Sequence, residues 1–423
     1  MATAQDGLAL RSYLLFSKVA APLYRLGLNR RLKRGKEDPQ RYREKLGVTD
    51  KVRPPGTLIW MHGVGLGEVL ALRSLITALS DQHSDLSFLV TSSTRTSAAV
   101  FTRHCPANTI HQFLPVDTPA TIDRFLDHWQ PDLSVWAEQD IWPALVYYTH
   151  ERNIPLALVN ARMNRRSYKV RSRATTLFKN LYRRFAWVSA QDQNTADHLT
   201  LLGANATVGG SLKAAAIQLG DNADTRKQFE SALNGRPVWL LASSHSDDEH
   251  LALEAHTSLL QQQSDALLII APRLIDRKDD IIDQCKAAGL RAIARTDSAT
   301  PNDAHVYVAD TFGEMGLWYR LCRYAFIGGS KGPVQGHNPW EAAALHCAIM
   351  HGPNTANFLL DYQSLASHDA AIKIDNSAQL VNVITDNALQ PVLARNAYAL
   401  AEQNNRNIDT IAAKLLRLLP QRL

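Results

Sequence analysis

Short apolar runs alternating with helical stretches, in two successive series, constrain this chain more than any other feature. In the first series, TLIWMH precedes a glycine-rich turn and a helix expected over Val69–Leu79. LSFLVTSS, HQFLPV, DLSVWA, PLALVNA and WVSAQ follow, most with a helical segment after them. The second series reads PVWLLASS, ALLIIAPR, AHVYVAD, YAFIGGS and CAIMHGP. Buried strands alternating with helices imply βαβ units and parallel sheets. Two series imply an α/β protein of two Rossmann-like domains facing each other across a cleft, which the 423-residue length accommodates. The expected divisions are 1–50, a basic amphipathic membrane-associating segment, and 51–212, the first Rossmann-like domain. A polar linker is expected over 213–235, a second domain over 236–395 and a C-terminal helix over 396–423, packing back on the first domain.

Composition narrows the classes. At 45% hydrophobic and 20% charged, the chain is neither disordered nor fibrous. Its four cysteines stand far apart without C-x-x-C spacing, so reduced thiols and no zinc site are expected. The net charge is +6, yet residues 1–53 alone hold 13 basic and 5 acidic residues. This uneven distribution argues against a nucleic-acid binder. Over residues 8–28 the charges Arg11, Lys18 and Arg25 interrupt every apolar run, so neither a bilayer-spanning helix nor a cleaved signal peptide is expected. Leu8, Leu10, Tyr13, Leu14, Leu15, Val19 and Ala20 instead follow a helical stripe. That helix is expected to lie in the membrane interface, with Arg30, Arg31, Lys33, Arg34 and Lys36 facing anionic headgroups. Arg162–Arg184 adds nine basic residues and no acidic one, a second surface suited to phosphate or anionic lipid.

Ligands of open α/β sheets bind at the carboxyl ends of strands, and the candidate site residues gather there. After TLIWMH come His62 and the turn Gly63-Val64-Gly65-Leu66-Gly67, with Glu68 opening a helix whose N-terminus favours an anion; Glu68 is either a general base or a simple helix-start residue. The glycines fall every second residue, which misplaces the third glycine of a dinucleotide fingerprint. Glu138 and Asp140 after DLSVWA suit sugar hydroxyls or the acidic first turn of a helix. Ser330 through Glu341 form a glycine-rich loop ahead of a helix, able to cradle phosphate with backbone N–H groups. Pro272-Arg273 with Arg277, and Thr311-Phe312-Gly313-Glu314, follow two further strands, the arginines suited to phosphate or carboxylate. No D-x-D metal clamp is present.

These segments, in this order, resemble the 3-deoxy-D-manno-octulosonic acid (Kdo) transferases of lipopolysaccharide synthesis. The resemblance runs over nearly the whole chain, from Tyr42-Arg43-Glu44-Lys45-Leu46-Gly47 and His62…Gly67-Glu68 through Glu138-Gln139-Asp140-Ile141-Trp142-Pro143 and Asn160-Ala161-Arg162 to Gly210-Ser211-Leu212-Lys213. It continues in Ala242-Ser243-Ser244-His245, Pro272-Arg273, Asp310-Thr311-Phe312-Gly313-Glu314, Gly328-Gly329-Ser330, Gly336-His337-Asn338-Pro339-Trp340-Glu341 and Gly352-Pro353-Asn354…Asn357-Phe358. The chain departs from the family pattern with Gly63-Val64-Gly65-Leu66 where serines are usual, Ser211 for Asn, Asp140 for Glu and Leu274 for His.

What the resemblance implies is an inverting transferase of GT-B architecture, with Glu68 as general base and no metal or other cofactor. It implies that Ser243, His245, Pro272, Arg273, Gly313, Glu314, Ser330, Gly336, Asn338 and Glu341 hold the CMP-Kdo donor. His62, Glu138, Asp140, Arg162 and Lys213 would hold a lipid A precursor at the cytoplasmic face of the inner membrane. The alternatives are a GT-B enzyme using another activated ulosonic acid or sugar, and a non-catalytic paralogue that binds nucleotide or lipid; Glu68 speaks against the latter.

Overall fold

A computed structural model describes residues 7–103, 105–139, 141–212 and 219–420. The chain divides into two compact units, one of residues 1–215 with 404–423 and one of residues 216–403. Among the described residues, each unit holds one seven-stranded sheet paired in parallel throughout. This is the α/β class expected from the sequence.

The first sheet comprises β1 (Leu58–His62), β2 (Ser87–Ser92), β3 (Thr109–Phe113), β4 (Leu133–Ala137), β5 (Leu156–Ala161), β6 (Trp187–Ala190) and β7 (Ala206–Val208), ordered β3-β2-β1-β4-β5-β6-β7. The second comprises β8 (Val238–Ser244), β9 (Leu267–Pro272), β10 (Ala292–Ala294), β11 (Val306–Val308), β12 (Tyr324–Ile327), β13 (Ala348–His351) and β14 (Ala371–Lys373), ordered β10-β11-β9-β8-β12-β13-β14. Every residue of β1, β4, β5 and β9 is buried, because helices cover both faces of a parallel sheet. Strand order reverses beside β1 and β4 in one sheet and beside β8 and β12 in the other. These switch points open crevices outside the carboxyl ends.

Three helices precede β2: α1 (Leu8–Val19), α2 (Ala21–Lys33) and α3 (Leu66–Gln82). The expected single apolar stripe on α1 separates into two faces. Leu10 is fully buried, Tyr13 and Leu14 pack beside it, and Tyr13 donates its hydroxyl to Asp117 at 2.8 Å. Leu8 (81% exposed), Leu15, Phe16 and Val19 (71% exposed) point outward, followed on α2 by Leu23 and Leu26. The segment is thus partly core. Among the described residues no helix is long and apolar enough to cross a membrane.

Residues 223–233, expected within a linker, form a helix whose Phe229 packs edge-on against Tyr307 and Trp318 of the second unit. The final helix, Leu389–Leu416, begins in the second unit and ends in the first, where Ile408, Ile411, Ala412 and Leu415 join the core beneath β1 and α3. All four cysteines are free thiols.

Candidate functional site

In the first unit the candidate residues line the carboxyl ends of adjacent strands β1, β4 and β5. The turn after β1 is tight because a Cβ on Gly63 would sit 3.2 Å from both Glu68 Cβ and Val69 N. That approach lets Glu68, in the first turn of α3, accept the Val64 N–H through Oε2 at 2.6 Å. The carboxylate is therefore fixed over the turn.

His62 does not join it at the surface. It is 1% exposed, stands edge-on to Trp136 and bonds Thr91 through Nδ1, and burial lowers its pKa to about 4. A neutral, enclosed imidazole therefore anchors the strand end, set back from the open turn that carries Glu68.

Glu138 follows β4 with φ 64°, and Asn160 ends β5 with φ 54°. Asn160 Nδ2 donates to Glu138 Oε1 at 3.4 Å, while Asn160 Oδ1 accepts from Gln191 Nε2 and from the Leu212 N–H. Left-handed backbone in non-glycine residues is strain that surrounding bonds must hold, and it clusters at functional sites. Arg162 is exposed just beyond β5. Asp140 and Lys213 lie outside the described residues.

The second unit's candidates follow the carboxyl ends of four neighbouring strands, β11, β9, β8 and β12. Ser243 carries φ 53° at the end of β8. His245 caps the helix Ser246–Leu260, and Asp248 in its first turn accepts the N–H groups of His245, Gly329 and Lys331, tying the β8 and β12 loops together. His245 and His337 meet through their Nε2 atoms at 2.9 Å with stacked rings. Arg273 is exposed beside them, its backbone N–H bonded to the Ser244 carbonyl. Burial, then His245 and Arg273, lower the His337 pKa to about 4. Burial raises that of Glu341 against the pull of Arg273. Arg273 thus acts electrostatically on both His337 and Glu341, with His245 stacked on His337.

Several expected ligand contacts turn out to be internal. Ser330 is wholly buried, donating to the Ile327 carbonyl at 2.6 Å and accepting the Gly352 N–H at 2.8 Å, so its hydroxyl latches β12 to β13. Pro272 is the buried last residue of β9, and its part is to end that strand ahead of Arg273. Arg277 pairs with buried Glu249 at 2.7 Å, and Ser244 donates to the same carboxylate. Glu314 is gripped at both oxygens by Arg295, at 3.1 and 3.0 Å, and accepts the Thr311 hydroxyl. Burial opposes its charge, but Arg295 and Thr311 hold the Glu314 pKa below the usual carboxylate range.

Asn338 accepts the Trp340 N–H at 3.1 Å, and Gly336 (φ 86°) donates to the Gly329 carbonyl at 2.7 Å. The helix after this loop, Trp340–Ala344, has five residues, so its dipole is short. Gly313, at φ 84°, makes the turn that leaves Phe312 79% exposed. The sequence patterns do not single out Arg295, which directly follows the short strand β10, and they name His337 only as part of its loop.

Residues 40–216 match the family model described as 3-Deoxy-D-manno-octulosonic-acid transferase (kdotransferase). A 3-deoxy-D-manno-octulosonic acid transferase of Rickettsia bellii is 30% identical over 420 residues, covering 97% of this chain and 100% of the relative. The enzyme of the same name from Rickettsia felis is 32% identical over 371 residues, covering 86% of this chain and 80% of its own. A solved glycosyltransferase from Rickettsia africae shares the fold at TM-score 0.51 and 11% identity, covering 86% of this chain and 100% of that one.

Proposed function

The chain belongs to the 3-deoxy-D-manno-octulosonic acid transferase family, and from that premise we propose that it moves Kdo from CMP-Kdo to a lipid A precursor with Glu68 as general base. The observation that carries the chemistry is the Glu68 carboxylate, fixed by the Val64 N–H at the switch point of the first sheet. The acceptor sugar's hydroxyl gives its proton to Glu68 as its oxygen attacks the anomeric carbon of Kdo. The C–O bond to CMP breaks on the opposite face, which inverts the configuration.

The second unit binds the donor. Arg273 offers a guanidinium for the phosphate or the Kdo carboxylate, Glu341 lies within its electrostatic reach, and Gly336 and Asn338 belong to the loop that leads to Glu341. With the Arg273 guanidinium meeting the phosphate charge, transfer proceeds without a metal ion and is unchanged by a chelator. The exposed apolar faces of α1 and α2, with the basic residues around them and those of Arg162–Arg184, support peripheral binding to the cytoplasmic face of the inner membrane.

Glu68→Gln tests the base. It lowers kcat by about 10²–10⁴-fold, the usual worth of a positioned acid–base group, while CMP binding measured by calorimetry stays within twofold. Turnover equal to wild type removes Glu68 from this role.

A further inference from the structure

A pocket of about 410 Å³ lies along α2, walled by Phe16, Leu23, Tyr24, Leu28 and Val116. Its polar side is an ion-paired triad in which Arg31 and Lys45 meet the buried Glu37 at 2.5 and 2.7 Å. The volume falls within the ~300–1,000 Å³ of small-ligand sites.

Gly27 lines the same pocket in the interior of α2, where glycine costs about 1 kcal/mol relative to alanine. A Cβ there would meet nothing within 4 Å, and no left-handed backbone requires glycine. No neighbour accounts for this glycine; what it does is leave the volume open. The apolar walls continue into the outward faces of Phe16 and Leu23, while Arg30, Arg31, Lys33 and Arg34 crowd the C-terminal end of α2. Glu37 already engages Arg31 and Lys45, so a second carboxylate would meet a carboxylate, whereas hydrocarbon meets no conflict. An apolar slot rimmed by cations fits a hydrocarbon chain carrying an anionic head.

Position names the lipid. Lys45 Nζ bonds the Ser93 carbonyl just past β2, and Val116 follows β3, while the Glu68 turn leaves β1 of the same sheet. At a strand spacing of about 4.8 Å, β3 and β1 are roughly 10 Å apart. We propose that this pocket holds one acyl chain of the lipid acceptor, an inference that rests on the lipid-acceptor reading above.

Gly27→Phe fills the slot. In the wild-type protein kcat/KM is higher for the acylated acceptor than for its deacylated sugar, and Gly27→Phe lowers that ratio about tenfold, the worth of a few lost methylene contacts. Gly27→Phe keeps its activity on the deacylated sugar, which shows that the variant is folded, and an unchanged ratio alongside that activity overturns the inference. Calorimetry with dodecyl phosphate reads the slot without catalysis: its affinity falls about tenfold in Gly27→Phe, and equal affinity overturns the inference. Transfer to neither acceptor by wild type would remove the acceptor reading alone, because the dodecyl phosphate result still decides the pocket.

Discussion

Glu138, Asn160 and Ser243 share a property that no sequence pattern displays: each holds a positive φ at a strand end without being glycine. Neighbouring groups bond Glu138 and Asn160 in place, and all three border the proposed substrate sites. Histidines divide differently. His62, His111 and His256 are buried, and burial sets their pKa values at about 4, 3 and 4. His256 accepts from Trp239 Nε1 and bonds the His305 carbonyl, so its neutral form stabilises the second unit. The unfolded chain takes up the proton near pH 6.5 but the native imidazole only near 4, so that contribution is complete above pH 6.5 and lost as pH falls toward 4. The melting-temperature advantage of wild type over His256→Phe therefore shrinks from pH 7 to pH 5; a constant advantage contradicts this. Sequence alone identified Glu68, Arg273 and Glu341 as strand-end groups. It could not show that Ser330 and His62 turn inward, because burial of a strand-end side chain depends on which loops close over it.

At the scale of elements, strands predicted from apolar runs form the centres of both sheets, as with LIWMH and LLIIAP. The strands missed, β7, β10 and β14, are three-residue sheet edges, too short and too exposed to carry a pattern. Arg295, the residue after β10, went unnoticed with it for that reason. The N-terminal hairpin shows the limit of periodicity, since α1 has an apolar face for the core and another for the exterior. Leu10→Ala should cost about 2–5 kcal/mol of stability in thermal or urea unfolding. Replacing Leu8, Leu15 and Val19 together by Ser should leave melting nearly unchanged while weakening binding to anionic phospholipid vesicles, as read by sedimentation. Vesicle binding should also fall as salt rises. Full binding by the triple variant would contradict interfacial insertion.

On the scale of the whole molecule, the final helix makes the order of the chain differ from the order of its units. Residues 404–423 return to the first unit, and Ile408, Ile411 and Leu415 fill its core. Ending the chain at Gln403 should therefore expose that core and lower the melting temperature of the first unit, measurable by calorimetry, while the second sheet keeps its strands. The same ordering allows one unit to present Glu68 and the basic surface while the other presents Arg273 and its neighbours. The measurement that bears most directly on this account is the mass of the lipid product. The protein is incubated with CMP-Kdo generated in situ and a tetra-acylated lipid A precursor, and the lipid is weighed by mass spectrometry. The account predicts a gain of one or more Kdo residues that disappears with Glu68→Gln. No gain, alongside an active control transferase in the same mixture, would contradict it.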